Sequence, residues 1–149
     1  MSREIKFRAW DKNAKRMNYF DNPKDGILYC CNGFIVSNGW DSYKDPTFDT
    51  RPDKKDVIEQ YTGLKDKNGK EIYEGDVLVI HHRWSDLSGY YLMVHWGKVR
   101  AGWIVAYHKG DTIRTIDLSH IINLVEIIGN IHENPELWEV KNETRYTNS

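Results

Sequence analysis

Five histidines, His82, His95, His108, His120 and His132, recur every twelve or thirteen residues along the chain. Imidazoles at such a rhythm suggest a metal site, because a row of strands can contribute one ligand each. However, no Asp, Glu or Cys recurs beside them to complete a coordination shell, and equivalent positions on successive antiparallel strands need not share a face. Scattered surface or sheet-end histidines are expected, with no metal bound.

The carboxylates Glu71, Glu74 and Asp76 lie close together. Glycoside hydrolysis needs two carboxyl groups facing each other across a cleft, which neighbours in one strand and turn do not provide, so a solvated edge is expected. Asp66-Lys67-Asn68-Gly69 opens like a calcium loop, with oxygens at alternate positions. It then fails at Lys70, Glu71 and Val77, where an EF-hand needs an oxygen ligand, a glycine and a glutamate. There is no Gly-x-Ser-x-Gly elbow and no glycine-rich phosphate loop. Cys30 and Cys31 are adjacent, too few for zinc and unable to staple distant strands, and they fit two thiols in a reducing compartment. No catalytic residue and no cofactor is assigned. A hydrolase is the last of the alternatives, and it would require a pocket with convergent carboxylates or histidines.

Aromatic residues mixed with basic ones can form a surface for single-stranded nucleic acid. Arg83-Trp84, Tyr90-Tyr91, Trp96-Gly97-Lys98, Arg100 and Trp103 supply that mixture. The favoured reading places these rings in the core of a small barrel, because they alternate with apolar residues. The binding alternative is a surface of Arg83, Trp84, Lys98, Arg100 and Trp103, with stacking on Trp84 or Trp103.

The elements that would position these residues are mostly strands. At 149 residues a single domain is expected. The composition, 40% hydrophobic and 29% charged, is that of a folded soluble protein, and 13% aromatic residues favour strands. Lys and Arg number 21 against 22 Asp and Glu, a balance that steers the chain toward neither nucleic acid nor an anionic membrane. No apolar run is long enough to cross a bilayer and Met1 to Arg8 lack a signal-peptide core, so a cytoplasmic location is expected.

Glu4 to Trp10 alternate, putting Ile5, Phe7 and Ala9 on one face and Lys6 and Arg8 on the other, as a half-buried strand would. Arg16 to Phe20 reads as its return strand. Ile27 to Cys31 and Phe34 to Val36 read as two short strands, and residues 41–56, with Pro46 and Pro52, as an exposed variable loop. Val57 to Tyr61 is extended. Apolar runs then follow at Val77–His82, Tyr90–Trp96, Gly102–His108, Thr112–Ile116 and Leu124–Ile131, separated by short polar connections. A turn of helix is expected near Asp117–Ile121 and a second at Asn134–Trp138, where Asn, Pro and Glu suit a helix start. Lys141 to Ser149 reads as a frayed tail.

The densest turn chemistry lies between Tyr61 and Val77. Asn68-Gly69 predicts a tight reversal, and Glu74-Gly75-Asp76 a bend into the following strand. Gly63, Asp66, Asn68, Gly69, Glu74, Gly75 and Asp76 are the motif positions, expected to determine the fold.

Three pieces of the chain, in order, resemble the YopX family of small phage and prophage proteins. They are Arg3-Glu-Ile-Lys-Phe-Arg-Ala-Trp-Asp11, the run from Gln60 through Tyr-Thr-Gly-Leu-Lys-Asp-Lys-Asn-Gly-Lys-Glu-Ile-Tyr-Glu-Gly to Asp76, and Ile128-Gly-Asn-Ile-His-Glu-Asn-Pro-Glu136. The resemblance implies a phage or prophage origin, self-association and no assigned catalytic activity, and it carries over no catalytic residue.

The expectation is a single, mainly β domain over residues 1–149. It would have an amino-terminal hairpin, an irregular part to residue 60, and a bent antiparallel sheet or SH3-like barrel over 61–140. A short helical turn would end the ordered chain. The expected function is an accessory protein that binds a host or phage protein; the alternative is a nucleic-acid-binding module.

Overall fold

The computed structural model describes residues 4–12, 15–19, 28–31, 34–37 and 57–139. The expected loop at 41–56 and the tail at 141–149 lie outside them. By contacts between residues the chain divides into two compact units, residues 5–60 and residues 1–4 with 61–149. The described residues of both units are mainly β.

In the first unit, β1 (Phe7–Asp11) pairs antiparallel with β2 (Arg16–Tyr19) on one side and with β5 (Val57–Lys65), through Val57 to Gln60, on the other. Between them in sequence, β3 (Leu28–Cys31) and β4 (Phe34–Ser37) form a separate antiparallel pair. The half-buried alternation expected for β1 is not what forms. Arg8, Ala9 and Trp10 are all buried while Ile5 is exposed. Arg8 can enter the interior because it lies directly opposite Glu59 on β5, and its Nε donates to Glu59 Oε1 at 3.0 Å. A buried charge persists only when paired in this way.

In the second unit, the rest of β5 pairs with β6 (Glu71–Tyr73), with a register slip between Tyr61 and Lys65. The strands β7 (Asp76–Ile80), β8 (Leu92–Gly97), β9 (Gly102–Lys109), β10 (Thr112–Asp117) and β11 (Val125–Asn130) form one antiparallel sheet in the order β10-β9-β8-β7-β11. It curls into a half-barrel, so of the two expected forms the bent sheet is the one built. All five strands fall on the apolar runs of the sequence to within two residues. β7 is buried along its whole length, which is why its run Val77-Leu78-Val79-Ile80 does not alternate. The core packs Ile72, Leu78, Ile80, Leu92, Val94 and Val105 against Leu118, Ile121 and Val125. Leu118 belongs to a 3-10 turn (Leu118–His120), and α1 (Glu136–Glu139) is a single turn after Pro135. No helix among the described residues is long and apolar enough to cross a membrane.

Candidate functional site

The motif residues of the 61–77 stretch make backbone architecture. Asp66 to Gly69 form a reversal in which the Gly69 N–H donates to the Asp66 carbonyl at 2.9 Å and the Asp66 N–H to the Lys70 carbonyl at 2.8 Å. The buried Asp66 carboxylate is the hub. Its Oδ1 accepts from the Asn68 and Lys70 N–H groups, each at 2.9 Å, and its Oδ2 from the Ile127 N–H at 3.1 Å. Asn68 also reaches Glu126 on β11 at 3.4 Å. At the second turn, buried Asp76 accepts from the Tyr73 N–H at 2.8 Å. Gly75, at φ +85°, donates to the Val94 carbonyl and accepts from the Ile131 N–H. Glu74 completes that turn. Gly63 and Gly69 also take positive φ, Gly63 at the slip in β5.

The five residues of the aromatic-basic surface do not converge. Arg83 and Trp84 lie on the β7–β8 connection, where the guanidinium sits 4.7 Å above a Trp84 ring that is 78% exposed. Lys98, Arg100 and Trp103 belong to the β8–β9 hairpin, at the other end of β8. Trp103 is half-buried, meets Trp96 edge to face at 5.1 Å, and its indole N–H has no hydrogen-bond partner. The reading of these rings as core therefore fits Trp103 and fails for Trp84.

The recurring histidines scatter as well. Cross-strand register puts His95 and His108 on the same face of the sheet, but His95 faces Ile104 and His108 lies four residues further along β9, about 13 Å away. The His108 ring packs on Trp138 at 4.7 Å, and His120 lies 3.7 Å from Asp117. Among the described residues no group of three His, Cys, Asp or Glu is placed to hold a metal.

The structure adds a cleft of about 520 Å³ where the tip of the β8–β9 hairpin adjoins the end of β10. Ile104 floors it, with Gly97 leaning on Ile104 so closely that an added Cβ would sit 3.2 Å from its methyl carbons. Val99, fully exposed, adds apolar lining, and Trp96 and Lys98 border it along the hairpin, the Trp96 ring being turned to Trp103 on the opposite face of the sheet. Asp117, the one carboxylate in the lining, is paired with Arg100 at 3.4 Å and has the His120 ring 3.7 Å away. Of the residues named from sequence, the cleft gathers His95, Trp96, Lys98 and Arg100. Val99, Ile104 and Asp117 were missed. The signal available was an apolar Val99 between two cations in the tip Gly97-Lys98-Val99-Arg100, whereas the part played by Asp117 depends on strand register.

Three comparisons bear on this geometry. The model of the family described as YopX protein matches residues 6–139. Protein EF1440 from Enterococcus faecalis, known from a crystal structure, is similar in fold, with a TM-score of 0.53 and 27% identity over 93% of this chain and 100% of that one. None of the curated proteins matches the chain.

Proposed function

The chain belongs to the YopX family, and from that premise we propose that it is a non-enzymatic, protein-binding accessory module of a phage or prophage, acting in the bacterial cytoplasm. The observation that carries the reading is the cleft beside the β8–β9 hairpin, where the fully exposed Val99 stands over Ile104. Exposed apolar surface gathered in a concavity favours a partner's apolar side chain over water. A net charge of −1 supplies none of the long-range attraction on which phosphate-backbone binding depends. Self-association, and a host or phage protein as partner, belong to the same proposal.

The test is to place a photo-crosslinking amino acid at Val99 and irradiate the protein in extract of the bacterial host. A discrete adduct that protease removes and nuclease does not, and that is lost when Ile104 is changed to Asp in the same protein, is the expected result. An adduct removed by nuclease, or none at all, overturns the reading. The nucleic-acid alternative keeps one specific observation in its favour, the exposed Arg83–Trp84 stack.

A further inference from the structure

We propose that Asn68 is a modification site: water converts its side-chain amide to a carboxylate through a cyclic imide with Gly69, and the conversion releases the 66–70 reversal from β11. The inference stands apart from the protein-binding reading and uses none of the residues of the cleft. Glycine after asparagine leaves the backbone nitrogen unshielded, since there is no Cβ between it and the preceding side chain. Asn68 is exposed at the tip of the reversal, and beyond the chain neighbours nothing lies within 4 Å of where a Cβ on Gly69 would stand. The Gly69 nitrogen, giving up its proton to hydroxide, attacks Asn68 Cγ. The N–Cγ bond forms, the Cγ–Nδ2 bond breaks, and Nδ2 leaves as ammonia with a proton taken from water. Water then opens the ring at one of its two carbonyls and returns a hydrogen to the nitrogen, leaving aspartate or isoaspartate at position 68. One water is consumed and one ammonia released, with no oxidant or reductant.

The native turn times this step. The attacking Gly69 N–H is tied to the Asp66 carbonyl at 2.9 Å, and the Asn68 N–H to Asp66 Oδ1 at 2.9 Å, so the nitrogen is released only when the reversal opens. A surface turn held by a few hydrogen bonds opens locally at far less cost than the whole domain.

What the amide holds decides what its loss does. The reversal is docked on three consecutive residues of β11. The Lys67 N–H donates to the Val125 carbonyl at 3.0 Å, Asn68 Nδ2 to Glu126 Oε1 at 3.4 Å, and the Ile127 N–H to Asp66 Oδ2 at 3.1 Å. An ionised carboxylate has no hydrogen to donate, so conversion turns the middle contact into repulsion against Glu126. Lys67 and His81 lie 3.6 and 3.8 Å from Glu126 Oε2, and one lysine cannot neutralise two carboxylates standing beside the buried Asp66. Isoaspartate, in addition, lengthens the main chain by a methylene between the Asn68 and Lys70 N–H groups that Asp66 Oδ1 holds.

The test incubates the full chain at mildly alkaline pH, native and in concentrated urea, and follows position 68 by peptide mapping with the aspartyl and isoaspartyl products separated. The other Asn-Gly pairs, Asn32-Gly33 and Asn38-Gly39, lie outside the described residues and fall in different peptides. Native conversion is expected to run about ten- to a hundredfold slower than in urea, and Asp66→Ala to speed it about tenfold by loosening the reversal. Should that variant unfold, the native-to-urea ratio of the parent protein decides the gating. Asn68→Asp, a stable copy of one product, should raise amide exchange at Lys67 and Ile127 at least roughly threefold, and adding Glu126→Gln should undo most of that rise. An amide still intact after about a thousand half-lives of the urea-unfolded chain overturns the site, and equal rates in native protein and urea overturn the gating. Exchange at Ile127 unchanged in Asn68→Asp overturns the release from β11.

Discussion

Asp66 is the residue on which the turn region depends most, since one carboxylate satisfies three backbone N–H groups from two separate segments. Asp66→Ala should cost about 3 kcal/mol in urea unfolding, and Asp66→Asn less, because an amide keeps one acceptor oxygen. A midpoint unchanged in Asp66→Ala would remove the carboxylate from the account. The pair Arg8–Glu59 makes a second prediction, with both side chains no more than 3% exposed. Glu59→Ala alone takes a carboxylate away from a buried cation and should cost about 3–5 kcal/mol, whereas the double change of Arg8 and Glu59 to Leu should cost less than either single truncation. A double-mutant cycle showing additive losses would contradict this. Asp66 was legible in the sequence as a turn residue. Its bond to Ile127 was not, because the two are sixty-one positions apart and only the fold brings them together. Arg8 misled because its charge reads as solvent-facing until its partner is known.

Turns and bulges set the behaviour of the elements. Gly75 adopts φ +85° while bonding to both Val94 and Ile131, so a side chain there strains the bend that starts β7. Gly75→Val should lower stability by about 2 kcal/mol, since a β-branched residue pays the full steric cost of the left-handed region. A fully folded variant of parental stability would tell against the bend. Gly129 has another reason to lack a Cβ. An added one would come within 2.8 Å of Asn134 Cγ, in the turn where Asn134 accepts from the Asn130 N–H and Asn130 accepts from His132 and Glu133. Gly129→Ala is expected to cost about 1–3 kcal/mol by overpacking and to loosen α1, seen as faster amide exchange at Leu137 and Trp138. The helical turn expected over Asn134–Trp138 forms at Glu136–Glu139, two residues beyond Asn134. The side-chain oxygen, however, is turned back to Asn130.

At the scale of the whole molecule the governing quantity is a net charge of −1. Gel retardation of single- or double-stranded DNA at low salt is expected to show no salt-sensitive shift at micromolar protein, because affinity for phosphate backbones comes from releasing counterions to clustered cations. A shift that weakens steeply with salt would favour the nucleic-acid alternative, and Trp84→Ala would then be the first variant to measure. Composition and pattern alone determined the β class, the five strands of the curled sheet and the reversal at Asn68-Gly69, because these depend on local propensity and on short spacings along the chain; the family was legible as a resemblance carried by three runs of residues. Tertiary structure alone decided that Asp66 and Lys67 cover the β11 edge of the sheet, that Arg83 and Trp84 stand apart from Lys98 and Arg100, and that Asp117 meets Arg100 at a cleft over Ile104. Those facts depend on register and curvature, which arise from pairings between distant residues and leave no periodic trace in the sequence.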